Sequence, residues 1–315
     1  MPRILFVKTS SLGDVVHNCP AVSDIARALP DAIIDWVVEE SFAEVATLHP
    51  SVRRVIPVAI RRWRGELFSS DTWAEFARFR AALRSERYDA VIDSQGLMKS
   101  ALVAVQALGL KHGYDRSSAR EPFAARFYDA LHSVPVTLHA VERNRQLAAA
   151  SLGYVPKACG YGLRAGAEAP IQVRSPFALL LTMTSREDKL WPEEHWRALG
   201  VALEARGIHC LLPWGDGDEK RRCARIATAI RGAVVPRRMS LSELANLARH
   251  AHCVVGVDTG ISHLAAALDV PVVGIYCGSD PALTGLYGGK WVRNLGAAGR
   301  PPAVAEVLEV LGALA

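Results

Sequence analysis

Residues 3–14 read RILFVKTSSLGD, and the rest of the chain is best read outward from them. Arg3–Lys8 is an apolar run of strand length with almost no polar alternation, as expected of a strand buried on both faces of a parallel sheet. Thr9-Ser10-Ser11 is turn material, and a helical stretch opens at Asp14 and runs to Leu29. Strand, loop and helix in this order begin an α/β unit, and the loop at the strand's carboxyl end is where such sheets bind ligands. The loop is neither a G-x-G-x-x-G fingerprint nor a Walker A loop, so it supports neither a dinucleotide site nor a P-loop. Asp14 has two readings here. It caps the helix by accepting backbone N–H bonds, or it faces a substrate as a general base.

The same alternation recurs. Further strands are expected at Ile33–Val38, Val55–Val58 and Ala90–Ser94, and helices at Thr72–Ser85, Lys99–Leu108, Pro122–Leu131 and Ala140–Leu152. Gly153–Pro176 carries seven Gly and Pro residues without a sustained period and reads as a linker. Beyond it, strands are expected at Phe177–Leu181, Ile208–Pro213, Cys253–Val257 and Val272–Tyr276. Helices are expected at Glu193–Arg206, Glu219–Ile230, Leu241–Arg249, Ser262–Leu268 and Pro302–Ala313. The expected division is a first α/β domain over 1–155, a linker over 156–176, a second α/β domain over 177–300 and a closing helical segment over 301–315. No internal sequence repeat is visible.

The 315 residues are 50% hydrophobic and 22% charged, with a net charge of +5. Between Arg53 and Arg87 nine arginines face four acids, so that segment alone matches the excess of the whole chain. It is either a solvated face or the contact for an anionic partner. Trp73, Phe76 and Phe79 in it have helical spacing and read as core rather than as a base-stacking platform, and no nucleic-acid motif is present. The six cysteines form no C-x-x-C pair and read as reduced, mostly buried thiols of a cytoplasmic protein. No leader or uncharged apolar run of spanning length is seen, so the protein is expected to rest on a membrane at most. The scattered histidines lack the spacing of a metal site, and no metal is expected.

Two more loops invite chemistry. Thr182–Lys189 follows the first strand of the second half. Its hydroxyls and Lys189 suit a diphosphate, while a capped helix start before Pro192 explains the same residues structurally. Val257-Asp258-Thr259-Gly260-Ile261-Ser262-His263 ends a strand and opens a helix, where free N–H groups suit phosphate. Alternatively it is a turn with an Asp cap and a buried His263.

Together, and in this order, these loops resemble the ADP-heptose heptosyltransferase family. The resemblance extends through KTSSLGDVVHNCPA (8–21), DWVVEESFAEV (35–45), RVIPVAIRRWR (54–64), YDAVIDSQGLMKSAL (88–102), AREPFAARFYD (119–129), DKLWPEEHW (188–196) and VDTGISHLAAALD (257–269). It implies a GT-B fold, two Rossmann-like doubly wound domains facing a central cleft. It also implies an inverting transfer of L-glycero-D-manno-heptose from ADP-heptose without cofactor or metal. VAIRRWR and AREP point to the branch that takes the first Kdo of Kdo2-lipid A, with action on the once-heptosylated core, nucleotide-sugar binding without turnover and epimerisation as alternatives. Asp14 falls on the family's base and Lys189 on its phosphate-binding lysine. Gly13, Thr184, Ser185, Glu219 (with Asp218 beside it), Asp258, Thr259, Gly260 and His263 fall on the donor side. Ser10, Arg61, Arg62, Arg64, Arg120 and Arg143 fall on the acceptor side. Peripheral association with the cytoplasmic face of the inner membrane is implied as well. Leu181-Thr182-Met183 and Cys277-Gly278-Ser279 depart from the family's pattern, which has a histidine with small residues and a Gly-Pro-Thr run there.

Overall fold

The computed structural model describes residues 1–66 and 68–314. The chain forms two compact units, Met1–Leu163 and Arg164 onward, and the division falls inside the Gly/Pro-rich stretch.

The first unit runs β1 (Arg3–Val7), α1 (Leu12–Val16), α2 (Cys19–Ala28), β2 (Ile33–Glu39), α3 (Ala43–Thr47), β3 (Val52–Val58), α4 (Ile60–Trp63), α5 (Ser70–Arg84), β4 (Arg87–Asp93), α6 (Met98–Ala104) and β5 (Leu108–Tyr114). A 3-10 segment (Pro122–Phe127), β6 (Ala130–His132) and α7 (Ala140–Leu152) complete it. Its strands are all parallel in the order β3-β2-β1-β4-β5-β6. This is the doubly wound order, whose direction reverses between β1 and β4.

The second unit runs β7 (Phe177–Leu181), α8 (Glu193–Ala205), β8 (His209–Leu211), α9 (Gly217–Ala227), α10 (Leu241–Arg249), β9 (Cys253–Val257), α11 (Gly260–Ala266) and β10 (Val272–Tyr276). It ends with α12 (Pro281–Thr284), β11 (Val292–Gly296) and α13 (Val304–Leu314). Its sheet is β11-β10-β9-β7-β8. Beyond β8, Val234 makes a single parallel bridge to Leu211. Counting that bridge as a vestigial third strand, the second sheet repeats the order of the first. The two halves are thus topological repeats with no visible sequence repeat.

Burial on both faces explains why the central strands read as unbroken apolar runs. Phe177, Leu179 and Leu181 of β7 enter one core, with α10 and α11. Ala178 and Leu180 enter the other, with Trp191 and α8, α9 and α13. α13 joins that core through Val307, Leu311 and Leu314, one helical face, so the closing segment is part of the second unit.

Several expectations are corrected. The helix expected over Asp14–Leu29 is two helices, because Pro20 sits in the first turn of α2, where its missing N–H is harmless. The helix expected over Lys99–Leu108 stops at Ala104, and Leu108–Tyr114 is the strand β5. The helix expected over Pro122–Leu131 is the 3-10 segment followed by β6. Strands β5, β6 and β11 were not anticipated. β5 reads LGLKHGY, and its Gly113 is needed because a Cβ there would lie 2.3 Å from the Tyr128 ring. Phe79 is buried as expected, but Trp73 is 60% exposed.

The basic segment also resolves into separate roles. Arg53 and Arg54 both bond the buried Asp35 of β2, which also accepts the Tyr88 hydroxyl at 2.8 Å. An unpaired carboxylate there would cost several kcal/mol, roughly 3–5 when one partner of a buried pair is removed. These two arginines therefore serve the fold.

Candidate functional site

In the first unit the site gathers at the carboxyl ends of β1 and β4, the switch point of its sheet. Gln95, just after β4, holds the loop after β1. Its Oε1 accepts from Thr9 N (2.7 Å), Thr9 Oγ1 (2.8 Å) and Ser10 N (3.3 Å), while its Nε2 donates to Ser10 O (2.6 Å). Lys99, in the first turn of α6, donates to Ser10 Oγ at 2.7 Å. Lys8, buried at the end of β1, donates to Ser94 O (2.8 Å) and Asn144 Oδ1 (3.3 Å) and reaches to 4.0 Å from Asp14.

Asp14 lies within α1, one residue after Gly13, and the capping reading is seen directly. Its Oδ2 accepts from Ser11 N at 3.0 Å and so caps α1. Its carboxylate is also gripped by Arg120, with Nη2 2.6 Å from Oδ1 and Nη1 3.4 Å from Oδ2. Burial opposes its charge, but Lys8, Arg120 and His17 outweigh burial and hold the carboxyl well below the usual carboxylate range. Burial in turn brings Lys8 down to about 8, with Asp14 resisting the drop. Lys8, Gln95 and Lys99 were not singled out from the sequence. The available signal was a lysine closing an otherwise apolar buried strand.

The acceptor-side arginines divide. Arg120 pairs with Asp14. Arg143 stacks over the Tyr114 ring at 4.9 Å and donates to Ser118 O. Arg62 is engaged by Glu40 and Glu75 rather than free for a ligand. Arg61 lies over the Phe42 ring at 5.1 Å, and Arg61 and Arg64 both act electrostatically on Lys99. Trp63 places this turn: its Nε1 bonds Glu75 at 2.8 Å, and its ring meets Phe76 and Phe79 edge-on.

In the second unit the corresponding place is the carboxyl ends of β7 and β9. Lys189 Nζ is 2.7 Å from Asp258 Oδ2, and Ser279 Oγ donates to the same oxygen at 2.5 Å. His263 Nε2 lies 3.6 Å from Asp258 Oδ1. Burial opposes the charge of Asp258, but His263, Lys189 and Ser279 hold it far below the usual range. Asp258 is therefore a fixed anion that orients Lys189. Thr184 Oγ1 donates to Asp258 O at 2.9 Å, joining the loops after β7 and β9, while Ser185 is exposed beside it. Thr259 is the extended residue before α11, which opens at Gly260. Ser279, part of the departure from the family pattern, proves to be a ligand of Asp258. Thr182, in the other departure, is buried with its hydroxyl 3.5 Å from Cys223.

Glu219 accepts from Gly215 N at 2.6 Å and stays at the loop after β8, whereas Asp218 turns outward to Arg221. A cavity of about 670 Å³ beside β8, lined by Ile171, Glu204, His209 and Arg231 among others, includes none of these residues. Among the described residues no three His, Cys, Asp or Glu side chains are placed to hold a metal ion.

Two doubly wound units, each with a charged loop cluster at its switch point, are the parts of a GT-B fold. The model of glycosyltransferase family 9 (heptosyltransferase) matches residues 76–306. The Escherichia coli K12 protein named lipopolysaccharide heptosyltransferase 1 is 49% identical over 290 residues, 91% of each chain. The Pseudomonas aeruginosa protein of the same name is 47% identical over 92% of this chain and 83% of its own. The solved structure "E. coli heptosyltransferase WaaC with ADP" superposes with a TM-score of 0.92 at 44% identity, covering 99% of this chain and all of that one. The chain belongs to glycosyltransferase family 9, the heptosyltransferases.

Proposed function

We propose that the protein transfers L-glycero-D-manno-heptose from ADP-heptose to the first Kdo of Kdo2-lipid A in the lipopolysaccharide inner core, with inversion and without a metal. The observation that carries this reading is the pair of charged clusters, Asp14 with Arg120 and Lys189 with Asp258, in a chain nearly half identical to proteins named heptosyltransferase 1. A solved structure titled "E. coli heptosyltransferase WaaC with ADP-2-deoxy-2-fluoro heptose" (TM-score 0.89, 43% identity, 99% of this chain and all of that one) supports the donor.

The acceptor hydroxyl oxygen attacks the anomeric carbon, the bond from that carbon to the phosphate oxygen breaks, and ADP leaves with the electron pair. The hydroxyl proton passes to Asp14. Lys189, held by Asp258, stands against the charge growing on the diphosphate, aided by N–H groups of the first turn of α11 that have no partner within the helix. Arg61, Arg64 and Arg120 suit the carboxylate and phosphates of the acceptor. The reading places the protein at the cytoplasmic face of the inner membrane. No helix among the described residues is long and apolar enough to cross a membrane.

The test is ADP release from ADP-heptose with and without heptose-free Kdo2-lipid A, with the product weighed. Acceptor-dependent release and a lipid heavier by one heptose are expected. Release only with the once-heptosylated lipid would move the assignment one step later, and donor binding without turnover would overturn it. Activity is expected to survive EDTA. Abolition by EDTA and recovery with a divalent metal would remove the role given to Lys189.

The Arg120 clamp predicts a pH signature. Asp14 stays ionised until the pH falls through its lowered pKa, so the wild-type kcat/KM profile should show no acid limb in the ordinary carboxylate range. In Arg120→Gln the guanidinium is gone, and the limb should move up toward that range, whatever the height of the profile. An unmoved limb would mean that Arg120 does not set the base.

A further inference from the structure

The turn after β4 reaches both partners of the Asp14–Arg120 pair. Asp93, the last residue of β4, is fully buried and anchors that turn. Its Oδ1 accepts from Gln95 N at 2.9 Å and from Gly96 N at 3.3 Å, and its Oδ2 accepts the Tyr128 hydroxyl at 2.8 Å. Toward Asp14, the Gln95 side chain, 2% exposed, gives all its bonds to the loop after β1. Its oxygen takes Thr9 N, Thr9 Oγ1 and Ser10 N, and its nitrogen gives to Ser10 O. Ser11, the next residue, offers the N–H that Asp14 caps. Toward Arg120, Gly96 O accepts from Glu121 N at 3.0 Å, and the Glu121 carboxylate returns to Met98 N. Gly96 has a φ of +66°, and a Cβ there would lie 3.1 Å from the Tyr114 ring and 3.4 Å from Arg120 N, so the turn and the Arg120 loop meet where a side chain would crowd both. Only an amide suits the place of Gln95, since one planar group must accept from N–H donors and donate to a carbonyl at once. A carboxylate would set its charge against Ser10 O, and an ammonium could accept nothing.

We propose that Gln95 is a positioning residue for heptosyl transfer: through the loop after β1 it sets the place of the Asp14 carboxylate and its register against Arg120, without itself bonding either. The proposal rests on the reading of Asp14 as the base. Gln95 fixes the Asp14 loop and Gly96 fixes the Arg120 loop, so two adjacent residues define the separation of the carboxylate from the guanidinium.

The test is a cycle of variants, Gln95→Met, Asp14→Asn and the two combined, each followed by single-turnover transfer and by ADP titration. Gln95→Met keeps the length of the side chain and removes its four bonds. It should lower the transfer rate about 10²-fold, the cost of a displacement on the order of 1 Å at a reacting group, and leave ADP affinity within about twofold. The acid limb of its kcat/KM profile should rise toward the ordinary carboxylate range, because Arg120 no longer opposes Asp14 closely. Added to Asp14→Asn, it should cost less than about threefold more, since the carboxylate it places is already gone. Thr9→Val removes one of the four bonds and leaves the backbone intact, so it should show the same pattern at about threefold, and it decides alone if Gln95→Met does not fold. Full-rate transfer by Gln95→Met or by Thr9→Val, or losses that multiply in the combined variant, would overturn the proposal. An Asp14→Asn variant that transfers at the wild-type rate would instead overturn the base reading on which it rests.

Discussion

Asp14→Asn should lower kcat by about 10²–10⁴, the range typical of a lost general base, while leaving ADP affinity within a few-fold of wild type. The substitution keeps size and shape, and asparagine can still accept the Ser11 N–H that closes the first turn of α1, so the loop should keep its course. What disappears is the carboxylate proposed to take the proton and the anion that Lys8 and Arg120 surround. A carboxylate held so low is a weak base. It can receive the proton only once bond formation to the anomeric carbon has made the hydroxyl strongly acidic, or once an acceptor anion has drawn Arg120 away. In either case the loss belongs in the chemical step. Single-turnover transfer measured beside ADP titration separates the two, and transfer by the variant at near wild-type rate would reduce Asp14 to a helix cap.

Lys189→Gln should cost about 10²–10³ in kcat, comparable to removal of one preorganised charge-stabilising donor, and should also weaken donor binding. Lys189 and Ser279 share one oxygen of Asp258, with His263 near the other. The variant therefore removes the cation proposed to face the diphosphate and leaves a buried carboxylate with less compensation. The second effect predicts a modest fall in thermal stability that Lys189→Gln combined with Asp258→Asn should partly restore, without restoring transfer. Recovery of transfer in the double variant would show that Lys189 acts only by balancing Asp258.

The apolar runs before the Asp14, Lys189 and Asp258 loops were enough to place each loop after a strand, because both sheets are buried on two faces. Their inner strands read as unbroken apolar runs, so each run's end marks a loop. That signal fails at the margins. β5 carries Lys111, His112 and two glycines, β6 has three residues, and β11 is mostly exposed. The topological repeat was invisible because the third strand of the second unit has shrunk to the bridge at Val234.

Charge was legible as a count but not as a pattern of partners. Nine arginines between Arg53 and Arg87 read as one basic face, yet Arg53 and Arg54 neutralise a buried aspartate and Arg62 is tied to Glu40 and Glu75. The sequence by itself determined the alternating strands and helices, the break between two units and the loops that follow the inner strands, because burial and turn chemistry act over a few residues. Only the tertiary structure decided which charges meet. Arg120 reaches Asp14 from 106 residues away and Lys189 reaches Asp258 from 69. These pairs form because parallel strands bring their carboxyl ends to one edge, and burial there makes an unpaired charge too costly to keep.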